Sequence, residues 1–113
     1  TLRQPTALCL VAEKAGRRVG YLLAYQAADE IEIARVAVVE EVKRQGVGTA
    51  LMKKLQEEGT QRKARKILLD VREKNHRAQA FYEKIGFKED GIRKRFYTEP
   101  EEDAVLMSMQ ISG

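Results

Sequence analysis

An apolar run at residues 31–39 leads into Lys43-Arg44-Gln45-Gly46-Val47-Gly48-Thr49, which opens a helical pattern ending near Gly59. Strand, glycine loop and helix start in that order restrict the fold more than any other stretch of this chain. Backbone N–H groups at a helix N-terminus lack intrahelical partners, and the helix dipole favours an anion there. Gly46 and Gly48 carry no Cβ to hold an anion away, and Lys43 and Arg44 add positive charge. The loop therefore suits phosphate, although a tight strand-to-helix turn with nothing bound fits the same residues. Two familiar phosphate loops are excluded: G-x-x-x-x-G-K-[ST] is absent, and Leu51 stands where a dinucleotide fingerprint needs its third glycine.

A chain of 113 residues reads as a single domain over 1–113, long enough to bury a core. No apolar run reaches the ~20 residues of a membrane span, and the start lacks the plan of a signal peptide. One cysteine excludes an internal disulfide and fits a reducing, cytoplasmic setting. Cys9 lies in a strand pattern and reads as buried rather than nucleophilic. With His76 alone it cannot build a zinc site, so no metal is expected. The net charge of +4 admits an anionic ligand but is too small to imply direct nucleic-acid binding.

Residues 6–14 and 19–25 read as a hairpin turning at Ala15-Gly16-Arg17, and 27–30 as a second turn. Residues 31–39 form a central strand with one charge on each face, Glu32 and Arg35. Either both are structural, at a strand end and in a salt bridge, or the strand opens onto a cleft. Val47, Ala50, Leu51 and Leu55 recur at helical spacing, with Gly59 as the stop. Ile67-Leu68-Leu69 reads as a strand buried on both sides, giving a βαβ unit with two parallel strands. Asp70 ends that strand, where ligands of α/β sheets bind. A helix over 76–85 and strands over 87–97 and 104–111 complete a mixed α+β sheet, with an acidic turn at 98–103.

Taken together, these elements and residues resemble the GNAT acetyltransferases. Residues 43–50, K-R-Q-G-V-G-T-A, are similar to that family's acyl-CoA diphosphate loop, [Q/R]-x-x-G-x-[G/A], with Lys43 in the Gln/Arg position. Asn75, Ala78, Tyr82, Gly86 and Phe87 fall in register with its second motif, N-x-x-A-x-x-x-Y-x-x-x-G-F. The tail, residues 91–97 and 102–107, looks like the Nα-terminal protein acetyltransferases, in particular the bacterial type acting on the N-terminal alanine of a ribosomal protein. The resemblance covers about residues 6–112. It implies a GNAT-like acyl-CoA N-acyltransferase fold: a central mixed, mostly antiparallel sheet around a βαβ CoA-binding core. The strand and two helices that usually come first in the family have no counterpart before the first hairpin.

The resemblance further implies acetyl-CoA as cosubstrate, a protein or peptide N-terminus (a ribosomal protein among them) as acceptor, no membrane partner, and a monomer or homodimer. Backbone N–H groups from Arg44, Gln45, Gly46, Val47, Gly48 and Thr49 would hold the diphosphate, with the charge of Lys43 beside them. Val36 and Val38 would lie along pantetheine, with Asn75 bonded to it unless it only caps a helix. Tyr82 would protonate the departing thiolate, or at least bind the cosubstrate by a hydrogen bond to its sulfur, unless it is simply a core aromatic. Asp70 stands where the ribosomal type carries its basic Glu, and Glu32 where histone-type relatives carry theirs. Otherwise Asp70 pairs with Arg72 or caps a loop. Arg35 and Tyr97 would contact the acceptor, with an exposed edge aromatic as the plainer role for Tyr97. An α-amine is neutral roughly 10% of the time at pH 7 and a lysine about 0.04%, so a modest base suffices for the former. Competing readings keep the fold with a lysine or small-molecule amine as acceptor, or make it a non-catalytic acyl-CoA-binding module. A basic RNA-binding domain rests on charge alone.

Overall fold

Period-two alternation builds the first sheet edge, as the computed structural model, which describes residues 5–43 and 45–111, makes plain. Strand β1 (Thr6–Lys14) turns at Ala15-Gly16, both with positive φ, into β2 (Arg17–Ala27). β3 (Glu30–Val38) pairs antiparallel to β2, and a 3₁₀ turn (Glu40–Val42) leads to helix α1 (Val47–Gln61). β4 (Lys66–Arg72), α2 (His76–Ile85), β5 (Lys88–Thr98) and β6 (Glu101–Gln110) follow. The six-stranded sheet has the order β1-β2-β3-β4-β6-β5, and only β3–β4 is parallel. This is the mixed, mostly antiparallel α+β architecture expected from the sequence.

One face of the sheet is the core. Leu22, Ala24, Ile31, Ile33, Ile67, Leu69 and Met107 point to Leu51, Met52 and Leu55 of α1, and α2 joins through Ala78, Phe81, Tyr82 and Ile85. No helix of the described residues covers the other face, so Cys9 is exposed beside Leu8 rather than buried as expected. Strand alternation sends Leu8 and Leu10 to the helices and Cys9 away from them. For the same reason β4 is not buried on both sides: Ile67, Leu69 and Val71 are covered, while Leu68, Asp70 and Arg72 are half-buried.

Two charges expected on opposite faces of β3 share one. Glu32 pairs with Tyr25 and Arg35 with Leu23, two residues apart on β2, because a bulge inserts Ala34 into the ladder. Beyond that bulge β3 leaves β4. Their parallel ladder holds only Glu30–Lys66, Ile31–Ile67 and Glu32–Leu68, although β3 continues to Val38 and β4 to Arg72. The other edges stay committed, β3 to β2 through Val38 and β4 to β6 through Arg72–Ala104. The sheet therefore splits in its middle.

Gly59 does not stop α1. The helix runs on to Gln61, and Lys63, in the left-handed region, supplies the reversal. Gly59 is instead a point of close approach, where a Cβ would come within 2.7 Å of Ile111 Cδ1 and 3.1 Å of Ile31 Cδ1. Gly59→Val should thus lower stability by about 1–3 kcal/mol, read from the urea midpoint. An unchanged midpoint would mean that α1 lifts off the sheet freely. The acidic turn also shrinks: β6 starts at Glu101, since Thr98–Glu101 and Tyr97–Glu102 are strand pairs.

Candidate functional site

The split lies between the start of α1 and the end of β4. Gly46 caps α1 with φ 81° and ψ 10°, a left-handed conformation, and a Cβ there would meet nothing within 4 Å. The first intrahelical bond is Ala50 N–H to Gly46 O at 2.9 Å, so helix geometry leaves Val47, Gly48 and Thr49 N–H without intrahelical acceptors. No acidic residue occupies this first turn. Gly48 serves packing, because a Cβ would stand 3.2 Å from the Phe81 ring of α2. Lys43 leans back to Glu40 at 2.9 Å, and Gln45 accepts a hydrogen bond from Lys14. Arg44 lies outside the described residues.

Val36 and Val38 sit on β3 past the bulge, opposite Leu22 and Gly20, and pack against the core. Their side chains are thereby engaged. What this stretch offers a ligand is backbone: among the described residues no strand is bonded to the β3 edge that faces β4 beyond Glu32. Unpaired backbone groups on such an edge need partners.

At the far side of the split, Tyr97 lies between the Asp70 carboxylate and the Tyr82 phenol, close enough to feel each. Burial raises the Tyr82 phenol above its ordinary value of 10, and neighbouring Tyr97 adds to the rise. Tyr97 is raised by burial and by the Asp70 carboxylate, with Arg72 opposing. The Tyr82 ring packs edge-on to Phe81 and Phe87 at 5.3 and 5.6 Å, so it is a core aromatic as well as a lining group. Its hydroxyl makes no hydrogen bond among the described residues.

Asp70 forms no ion pair among the described residues, and the partner of Arg72 is Glu102 at 3.2 Å. Tyr97 is half-buried rather than an exposed edge aromatic, with the Arg72 guanidinium 4.2 Å from its ring centroid. Asn75 caps α2, its Oδ1 accepting from Ala78 N–H at 3.1 Å. Glu32 is exposed and stands apart from the tyrosine pair, in a cavity of about 290 Å³ with Glu30, Tyr25 and Leu68. Arg35 is exposed and donates to the Tyr21 hydroxyl at 3.5 Å.

Arg72 and Glu102 were not expected at the site from sequence. Glu102 reads there as one charge of an acidic turn, and only the β4–β6 register brings it to Arg72. The geometry amounts to an anion-ready helix start, a strand edge free to bond amides, and a carboxylate near the Tyr97 phenol, which in turn neighbours that of Tyr82. An elongated ligand with a diphosphate at one end and a reactive group at the other fits that layout.

The profile of the Acetyltransferase (GNAT) family matches residues 1–87. A Bacillus subtilis protein described as a putative ribosomal protein bS18-alanine N-acetyltransferase is 37% identical over 111 residues, spanning 98% of this chain and 74% of the relative. The crystal structure of the ribosomal-protein-S18-alanine N-acetyltransferase from Escherichia coli superposes with a TM-score of 0.87 at 33% identity, covering 95% of this chain and 70% of that one. A putative streptothricin acetyltransferase from Bacillus anthracis, solved with acetyl coenzyme A, shares the fold at a TM-score of 0.86 and 20% identity, over 95% of this chain and 64% of that one.

Proposed function

This chain belongs to the GNAT acetyltransferase family and is an acetyl-CoA-dependent N-acetyltransferase, and we propose that its acceptor is the N-terminal α-amine of a protein, of the ribosomal-protein alanine type. Carrying this reading is the chain of neighbours Asp70, Tyr97 and Tyr82 at the end of β4, beside the split. Its ribosomal-type relatives, named for acetylating that alanine, support the choice of acceptor. Such a reaction belongs in the cytoplasm, in the compartment of the ribosome.

Acetyl-CoA, when bound, supplies an acetyl group already activated as a thioester. The N–H groups of Val47, Gly48 and Thr49, left open at the α1 start, hold its diphosphate, whereas those of Lys43 and Gln45 already donate to Glu40 O and Val42 O. The β3 backbone at Val36 and Val38 bonds the pantetheine amides, and Asn75 closes the same channel from the α2 N-terminus. Asp70 takes the proton released as the α-amine attacks, directly or through water. Glu32, on the same open face and one ladder pair from Asp70 through Leu68, is the second base for a water-linked route. Tyr82 gives its proton to the departing thiolate. Tyr97 and Arg35 line the approach of the peptide.

The proton logic sets a pH profile. A phenol raised above 10 stays protonated through neutral pH, so Tyr82 is in its acid form wherever the amine is free. The value of kcat/KM should climb through about pH 7.7–8.0 as the α-amine deprotonates, without a descending limb below about pH 10. Thiol release measured with peptides beginning in Ala, Ser or Met, beside an Nα-blocked lysine peptide, tests both parts. Turnover confined to free N-termini supports the reading. Turnover on lysine alone would overturn the acceptor assignment, and CoA binding without turnover on any amine would favour a binding module.

A further inference from the structure

Tyr97 rejoins the β5–β6 ladder, opposite Glu102, just past its widest irregularity. The β5–β6 pairing jumps from Arg93–Ala104 to Tyr97–Glu102, leaving three residues of β5 looped out, and Arg95 there takes a φ of 53°. A bulge of this kind bends and twists the strand, so the ladder pair alone does not fix the angle of the Tyr97 ring over the β4 end. Arg72 meets that need. Its Nη1 donates to Pro100 O and to Glu102 Oε1, both at 3.2 Å, its Nη2 to Glu99 O at 3.4 Å, and its plane lies over the Tyr97 ring. One planar fork thus touches the turn, β6 and β5 at once, which the point charge of a lysine cannot do.

The clamp is anchored at its base. Glu102 turns its second oxygen to Lys74 N–H at 2.7 Å, and Gln79 Nε2 donates to Arg72 O and Glu73 O. The loop carrying Asn75 and the hairpin carrying Tyr97 are therefore tied through one ion pair.

We propose that Arg72 is a positioning residue that locks the β5–β6 turn and Tyr97 across the open end of β4, setting the wall the acceptor peptide meets. This role rests on the acceptor reading given above. It predicts a much larger effect on acceptor than on cosubstrate, since no contact of Arg72 reaches the α1 N-terminus and the Asn75 loop keeps its own bonds from Gln79.

The test compares Arg72→Met and Arg72→Lys, alone and with Tyr97→Ala, in steady-state kinetics with an N-terminal-alanine peptide. The lysine variant keeps a cation opposite Glu102 and guards against simple misfolding of the methionine one. Both should raise acceptor KM about tenfold, short of the ~100-fold that a misplacement of 1 Å can bring, and leave acetyl-CoA KM within about twofold. In the Tyr97→Ala background the same changes should do nothing further. Full additivity in that background, or equal rises in both KM values, would overturn the role. Hydrogen–deuterium exchange over residues 97–102 reads the clamp without turnover and so separates it from the acceptor assignment. Faster uptake in Arg72→Met supports the clamp whatever the acceptor proves to be, and unchanged uptake sinks it.

Discussion

Tyr82→Phe should lower kcat by about 10²- to 10⁴-fold, the span that a positioned general acid contributes. The expectation turns on one oxygen atom. The ring packs edge-on between Phe81 and Phe87, contacts that phenylalanine keeps. The hydroxyl makes no hydrogen bond among the described residues, so its loss strands no protein partner. Stability should then stay within about 0.5 kcal/mol of the parent, since no buried partner is orphaned. Affinity for CoA should change little, because the diphosphate is held at the other end of the split. Thiol release, urea unfolding and calorimetric CoA titration separate the three effects. A variant that folds, binds CoA and turns over normally would leave Tyr82 as a core aromatic and return the proton to solvent.

Element order was legible because each strand carries its own alternation and each helix its own apolar stripe. Thr6–Lys14 and His76–Ile85 fall on the expected bounds. What sequence periodicity could not carry was anything decided between strands. The Ala34 bulge changes which face Arg35 occupies, and it is visible only as a register shift against β2. Gly59 reads as a stop in one dimension and as a packing contact with Ile31 and Ile111 in three. Cys9 was assigned by residue type, whereas the absence of a layer over that face decides its exposure.

The candidate site divides in the same way. The Gly46–Gly48 loop and the Asn75 to Phe87 spacing are local, so their residues could be named in advance. Arg72 and Glu102 meet across 30 positions of chain, and their pairing depends on β6 beginning three residues earlier than its apolar alternation suggests. Charges in the strand extension are tolerated because each acidic group has a partner. Lys74 N–H and Arg72 lower the Glu102 carboxyl below its ordinary range, and Arg95 N–H and Lys94 do so for Asp103.

Gly46→Asp should separate folding from cosubstrate binding more sharply than any other change in this chain. The new side chain meets no atom within 4 Å, so its costs are conformational: a φ of 81° disfavours any Cβ, by roughly 1–2 kcal/mol for a general residue and less for Asp. Against that, a carboxylate beside the helix start complements the dipole of a first turn that has no acidic residue, by about 0.3–1 kcal/mol. Folding should therefore stay near the parent. For CoA the same carboxylate is doubly unfavourable, since it takes the N–H groups that the diphosphate needs and places like charge beside it. Hydrogen bonds to charged groups contribute about 1.5–3 kcal/mol each, so losing two weakens binding by about 10²- to 10⁴-fold. Calorimetric titration with CoA gives the affinity and urea unfolding the stability. The decisive comparison is S-acetyl-pantetheine, which lacks the diphosphate: its slow use as a donor should be the same in parent and variant. If the variant lost both donors alike, Gly46 would be acting on the whole α1–β3 junction rather than on an anion at the helix start.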